Sequence, residues 1–341
     1  MPALTRWLMS PRNVCLGVVL ALILTVTLLY KQSGVVLPQV TFGYASQPPV
    51  DKSKVALLVE DRPQPLLAPT LLHFIYALPP DWHFRFMGSQ ASVAHVNKSA
   101  AIREQVRAGK LDLTYIPSNL STAGQEMISR FLTTLWLYET VLQPAEMLLV
   151  FQSDSMVCAN SKHNMDEYIQ YDWVGAPWNP AGRWGGNGGL SIRRVSRIID
   201  ILRNQKRIEN SEPEDVWLSE RLGHHPQGRV ASGPVSLAFS GELNSGEPEQ
   251  VLGPSGSQHD NKSHSLPKVG RPSEYIKGID DWRDGHYEPM GYHIGGANYL
   301  SGSIWGTPEK REHIWKYCPE VKMIVQTDMA DYVPGNCHSE W

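Results

Sequence analysis

The chain has 341 residues, is 42% apolar and carries a formal net charge of -3, enough material for one large α/β domain or two small ones. This is neither a disordered nor a collagenous composition. With no dense Lys/Arg stripe there is no footprint for a phosphate backbone, and nucleic acid is excluded as a partner.

At the N-terminus, Val14 to Tyr30 is an unbroken run of 17 apolar residues and threonines, the short end of what spans a bilayer as a helix. Arg6 and Arg12 precede it and Lys31 follows. The charges before the run predict a cytoplasmic tail over 1–13, a signal anchor over 14–30 and a stem over 31–53, with the rest on the lumenal side. The expectation is a single-pass type II protein of the Golgi or endoplasmic reticulum, in contact with the membrane through this helix. A cleaved signal peptide is the rival reading, but the run is longer than a usual h-region and no small-x-small site clearly follows Tyr30. Cys15 falls at the membrane, leaving Cys158, Cys318 and Cys337 for the domain, which permits one disulfide without choosing the pair. Sequons at Asn97, Asn119 and Asn261 are compatible with secretion.

From about residue 54 the pattern becomes α/β. VALLVE (Val55 to Glu60) is a continuous apolar run suited to a buried parallel strand. Leu66 to Leu78 has helical spacing and stops at Pro79 and Pro80. WHFRFMG reads as a second strand, Lys98 to Ala108 as a helix ended by Gly109, and LDLTYI as a third strand. A longer amphipathic helix over Gln125 to Leu142 leads into the strand EMLLVFQSDS. Strands alternating with helices predict right-handed βαβ units, and hence a Rossmann-type, mostly parallel sheet flanked by helices. In the second half YDWVGAPW reads as a strand and turn, followed by GGNGGLSIRR and a helix from Val195 to Gln205. Gly241 to Ser273 is rich in Gly, Ser, Pro, Asn and charge and reads as a disordered or variable insertion without chemistry. YEPMGYHIGG, an amphipathic stretch Thr307 to Tyr317 and a polar tail over 326–341 close a domain expected over 54–325.

Several residues in this frame could carry chemistry. Asp154 ends a strand, at the sheet edge where open α/β folds bind ligands; a carboxylate there can hold Mg²⁺ or Mn²⁺, or it can cap the following turn with Ser155. Because Met156 follows Ser155, the second acid of a D-x-D pattern is missing. Asn187, Gly188 and Gly189 lie in a Gly-rich turn that lets backbone approach a ligand closely, although it matches neither common phosphate-loop pattern. Glu214 and Asp215 sit in the first turn of a helix starting near Pro213. They either serve the helix dipole or supply a general base, with Asp215 preferred. His293 can be a structural residue, a metal ligand or a donor to phosphate. Glu60 and Arg62 follow the first strand, where Arg62 could meet a diphosphate or pair with a carboxylate. His224 and His225 lack metal-site spacing, and no zinc site is expected.

Read together, VEDRP, LVFQSDS, DWVGAP, NGGLSIR, PEDVW and GYH, in that order from about Val55 to Tyr317, resemble an uncharacterised glycosyltransferase-like family of the GT-A type. The resemblance implies a GT-A fold in which Asp154 matches the metal-site acid. Asn187 to Gly189 would match the turn beside donor and acceptor, Asp215 the base, and His293 the C-terminal histidine that reaches metal or diphosphate. The residues between Gly233 and Arg271, and IGGANYLSG after His293, depart from the family pattern. The expected activity is transfer of a sugar from a nucleoside diphosphate sugar to a hydroxyl of a glycan, lipid or protein, with inversion, and with Mn²⁺ or Mg²⁺ as cofactor. Glu60, Arg62, Asp154, Ser155, Asn187, Gly188 and Gly189 would line the donor site, Asp154 and His293 would hold the metal, and Asp215 with Glu214 would be catalytic. The alternative is an inactive lumenal protein that binds nucleotide sugars or acts as a scaffold on the same fold.

Overall fold

The computed structural model describes residues 18–25, 49–182, 185–248, 278–295 and 300–325. Residues 1–46 and 47–341 form two separate units. Of the anchor expected over 14–30, only 18–25 are described; they are helical with exposed side chains. No helix among the described residues is long and apolar enough to cross a membrane. The remainder of that segment, the stem to residue 48 and the tail over 326–341 lie outside the described residues.

The larger unit is built on a sheet of six strands. In chain order they are β1 (Asp51–Val59), β2 (Trp82–Gly88), β3 (Leu111–Tyr115), β4 (Met147–Phe151), β6 (Trp173–Gly175) and β7 (Leu190–Arg194), arranged β3-β2-β1-β4-β7-β6. The first four pair in parallel, whereas β7 runs antiparallel to both β4 and β6. The sheet is therefore mostly parallel, with one strand reversed.

Alternation along the strands divides the core into two layers, because successive side chains point to opposite faces. Ala56 and Leu58 of β1, with Leu149 and Phe151 of β4, face one apolar cluster. That face is covered by α1 (Leu67–Ala77), α2 (Gln90–Val96) and α3 (Ala100–Arg107), and Phe74 of α1 stacks on Phe151 with ring centroids 4.0 Å apart. Val55, Leu57, Leu148 and Val150 face the other cluster. Here the cover is α4 (Gly124–Leu132), α5 (Val195–Asn204) and α6 (Glu214–His224). Burial on both faces is why β1 and β4 read as unbroken apolar runs.

A second sheet of three short strands, β5 (Ser155–Val157), β8 (Ser240–Gly241) and β9 (Gly291–His293), has the order β5-β9-β8. Its strand β8 is preceded in the chain by α7 (Gly233–Phe239), and α8 (Gly302–Trp305), α9 (Pro308–Tyr317) and a 3-10 turn over Pro319–Met323 follow β9.

Four expectations are corrected. The strand expected over EMLLVFQSDS is two strands in two sheets, broken at Gln152 to Asp154, because the Gln152 amide and the Ser155 hydroxyl both turn to the Gly189 carbonyl. The helix expected over Gln125 to Leu142 stops at Leu132, where adjacent Thr133 and Thr134 donate their hydroxyls to the carbonyls of Ser129 and Arg130. Such back-bonding competes with helix propagation, and only a π-helical turn over Leu137–Val141 follows. The stem boundary shifts, since β1 already begins at Asp51. The insertion placed over Gly241 to Ser273 begins as strand β8, and 242–248 is described chain in contact with the site below; 249–277 lies outside the described residues. Three short helices, α2, α7 and α8, have no counterpart in the sequence-based expectations. The first is a seven-residue element whose Ser89 cap accepts from the Ser92 amide.

Cys158 pairs with Cys318, joining the end of β5 to the end of α9 across a sequence separation of 160. Closing a loop of that length removes unfolded-state entropy worth about 5 kcal/mol. Replacing both cysteines by serine is predicted to lower the urea midpoint, with a loss of about 2 to 5 kcal/mol. An unchanged midpoint would remove the disulfide from the stability account.

Candidate active site

The site grows out of the reversal of β7. Because it runs antiparallel to β4, its first residue, Leu190, is in register with the last residue of β4, Phe151. The turn that feeds β7, Asn187 to Gly189, is thereby set against the segment leaving β4, Gln152 to Asp154. The Gln152 amide donates to the Gly189 carbonyl at 2.8 Å, and the Ser155 hydroxyl donates to the same carbonyl at 2.7 Å. Ser155, expected beside a bound nucleotide, is thus committed to holding the two segments together.

The small sheet brings in the rest. β9 lies between β5 and β8, so Ser155 is opposite His293 and Gly241 is beside Tyr292. Asp154 and Glu242, the residues flanking these pairs, close on either side of the His293 ring. Nε2 is 3.4 Å from Oδ1 of Asp154, and Nδ1 is 3.3 Å from Oε1 of Glu242. The Ile294 amide donates to the Asp154 carbonyl at 3.1 Å and fixes the backbone. Gly189 lies under the imidazole, and a Cβ there would collide with the ring.

Burial alone would push the His293 pKa down. Asp154 and Glu242 outweigh it and raise the value from an ordinary 6.5 to about 10, so the ring is an imidazolium at neutral pH. In turn, burial would push the Asp154 carboxyl up, but His293 and, more weakly, Arg62 hold it below the usual carboxylate range. Asp154 keeps about a third of its side chain exposed, while His293 is almost wholly covered.

Asn187 joins the turn to this group. Its Nδ2 donates to Oε1 of Glu242 at 3.2 Å, and its Oδ1 accepts from the Gly189 amide at 2.6 Å. The next amide, Gly188, donates to Oδ2 of Asp215 at 3.0 Å. Asp215 is in the first turn of α6, where a carboxylate is favoured by the helix dipole, and its Oδ1 accepts from the Val216 amide at 2.9 Å.

Glu214 is directed differently. Both of its oxygens accept from Arg193 of β7, each at 2.9 Å, and the Arg193 guanidinium lies over the Trp173 ring at 4.5 Å. Burial pushes the Glu214 carboxyl up against the pull of Arg193. Arg193 also donates to the Gly188 carbonyl at 3.0 Å, so the pair anchors the turn from beneath. Glu60 likewise takes up Arg62, with Nε and Nη2 both at 2.8 Å, and Arg62 remains 72% exposed.

The structure therefore gathers Asp154, Ser155, Asn187, Gly188, Gly189, Asp215 and His293 at one end of the sheet. It turns Glu214 into the partner of Arg193, and the Arg62 charge reaches this group only through the field that it exerts on Asp154. Sequence reasoning missed Glu242 and Arg193. Arg193 stands in LSIRR beside Ser191 and Arg194, where nothing in the sequence marks it as the buried one, and Glu242 follows a two-residue strand too short to show a period.

Asp154 and His293, expected to share a metal, stand next to each other as a charge pair. No group of three His, Cys, Asp or Glu placed to hold a metal ion occurs among the described residues. The two carboxylates face different nitrogens of one charged ring. With Met156 at the second position of a D-x-D pattern, these residues do not make a protein-built metal site. A cavity of about 560 Å³, lined among others by Ile75, Pro79, Lys110 and Met165, shares no residue with this cluster.

A family model described as "Protein of unknown function (DUF5672)" matches residues 110–252. No curated protein matches the chain in sequence. Among solved structures, it is similar to the mannosyltransferase PcManGT from Pyrobaculum calidifontis in complex with GDP-Man and Mn²⁺, at 12% identity and a TM-score of 0.36, over 55% of this chain and 56% of that one. The apo-form glycosyltransferase GlyE of Streptococcus pneumoniae TIGR4 is 13% identical with a TM-score of 0.35, over 53% and 44%. The apo WbbM bifunctional glycosyltransferase is 10% identical with a TM-score of 0.41, over 81% and 52%. The chain spans about half the length of these proteins.

Two tests follow from the charges. Arg193→Met would strand a buried carboxylate and is predicted to destabilise by about 3 to 5 kcal/mol in urea unfolding, with partial recovery when Glu214→Gln is added. For His293, the folded pKa lies above the unfolded one, so its stabilisation is complete below pH 6.5 and fades as pH rises towards 10. The Tm advantage of the wild type over His293→Gln should shrink across that window; a pH-independent difference would contradict the imidazolium.

Proposed function

We propose that the chain is a glycosyltransferase, moving a sugar from a nucleoside diphosphate sugar to a hydroxyl acceptor with inversion. One observation carries this reading. Residues scattered from Asp154 to His293 meet at the C-terminal edge of the parallel strands, where open α/β sheets bind nucleotides. The ordered motifs described above support it independently.

In this reading the diphosphate lies between Arg62, whose guanidinium is exposed, and the imidazolium of His293. A fixed cation in a covered site stabilises charge developing on the leaving group, worth about 3 kcal/mol. Asp154 and Glu242 hold the His293 proton on the ring, and Asn187 fixes Glu242. Asp215 accepts the proton of the acceptor hydroxyl as it attacks; the amides of Gly188 and Val216 keep its carboxylate in place. Glu214 acts as a positioning residue through Arg193 and the Gly188 carbonyl. A divalent ion arriving with the diphosphate would meet Asp154 as its protein carboxylate.

A lumenal location fits the Cys158–Cys318 disulfide, which favours an oxidising compartment, and the exposed sequons at Asn97 and Asn119. An inactive nucleotide-binding scaffold is the second reading. It is favoured by Met156, a buried apolar residue at the position where the second acid of a D-x-D pattern would stand.

The test is calorimetry with UDP and GDP, with and without Mn²⁺, followed by hydrolysis of a panel of nucleotide sugars. Turnover in the wild type should fall about a hundredfold or more in Asp215→Asn and in Asp154→Asn. Equal turnover in both variants would contradict the assignment. Nucleotide binding without any turnover would favour the scaffold.

A further inference from the structure

Trp178 is a large aromatic side chain that the core does not use, with 36% of its surface exposed. Two segments of the site hold it. On one side, Gly185 adopts φ +109 and packs its backbone against the indole, so closely that a Cβ would stand 2.9 Å from Cζ3. That same Cβ position is 3.9 Å from Oγ of Ser219, on α6 one turn beyond Asp215. On the other side, Asn244, two residues after Glu242, donates Nδ2 to the carbonyls of Pro177 at 2.9 Å and Trp178 at 3.3 Å. Leu243, between them, is 54% exposed. The indole is thus fixed on the rim of the site, beside the face of α6 that carries Asp215.

We infer that Trp178 is the acceptor platform, and that it takes the CH face of a neutral pyranoside. The inference rests on the glycosyltransferase reading, which puts the acceptor hydroxyl at Asp215. A flat, pre-positioned aromatic loses little entropy on binding and covers the apolar face of a sugar ring while the hydroxyls stay wet. Leu243 extends the same apolar rim. Neutrality follows from the charges among the described residues: Glu60 and Glu214 are matched by Arg62 and Arg193, but Asp154 and Glu242 share the single cation His293, and Asp215 accepts from the Gly188 and Val216 amides rather than from a cation. A uronic, sialylated or phosphorylated acceptor would enter against that excess of negative charge.

The experiment is saturation-transfer NMR on the full chain with UDP present, using methyl glycosides of glucose, galactose, mannose, xylose and N-acetylglucosamine as probes and methyl glucuronide as the charged comparison. At least one neutral glycoside should bind, more tightly than the glucuronide. Trp178→Ala should weaken it about tenfold, the weight of one stacking contact, and Trp178→Phe should restore most of the binding. In the wild type, the indole N–H resonance identified by its loss in Trp178→Phe should shift on glycoside addition, a readout that does not depend on the alanine variant folding. Equal affinity in Trp178→Ala, or an unshifted indole, overturns the platform. Preference for the glucuronide overturns the charge argument. A wild type that binds UDP but none of the neutral glycosides overturns this inference alone, whereas one that binds neither overturns the reading on which it rests.

Discussion

The arrangement depends on one pairing, the reversed strand β7 against β4. Parallel strands deliver their C-terminal ends to one edge, and a reversed neighbour delivers its beginning there. Leu190 opposite Phe151 is therefore the contact that brings the turn Asn187 to Gly189 to the exit of β4. Ser155 and Gln152 bond to the turn's last carbonyl, Arg193 bonds to its middle one, and Asp215 accepts from one of its amides. The glycines are required by space. A side chain at 188 would meet the Arg193–Glu214 pair, and one at 189 would meet His293.

Burying Arg193 and Glu214 costs desolvation that an apolar pair would avoid, so their value lies in geometry rather than net stability. Their pairing ties β7 to α6, and with it the turn to Asp215. The small sheet performs the matching task on the other side, with its three short strands placing Asp154, His293 and Glu242 in one row. That row has carboxylates at its ends and a cation at its centre. It holds a positive charge in a covered position, which is what a departing diphosphate requires.

The sequence made the large sheet legible because its strands are buried on both faces and its helices keep a helical period. LDLTYI, WHFRFMG and VALLVE became strands close to where they were expected, and the amphipathic stretch Thr307 to Tyr317 is a helix capped by Thr307. What period cannot report was lost. The break after Phe151 comes from hydrogen bonds to a residue far along the chain, and the stop at Leu132 comes from two threonine hydroxyls. Asp154, Asp215 and His293 could be singled out by residue type and flanking sequence. The conversion of Glu214 into a partner for Arg193, and the entry of Glu242, depend on strand neighbours that only the folded chain specifies.

The central claim is that a nucleoside diphosphate binds between Arg62 and His293, against the turn that the reversed strand delivers. The most direct measurement is a backbone and imidazole chemical-shift map of the isotope-labelled protein on addition of UDP or GDP. The account predicts that the amides of Gly188 and Gly189 and the ring of His293 shift together, saturating at one nucleotide per chain. Shifts confined to another part of the fold, or none at these residues, would contradict it.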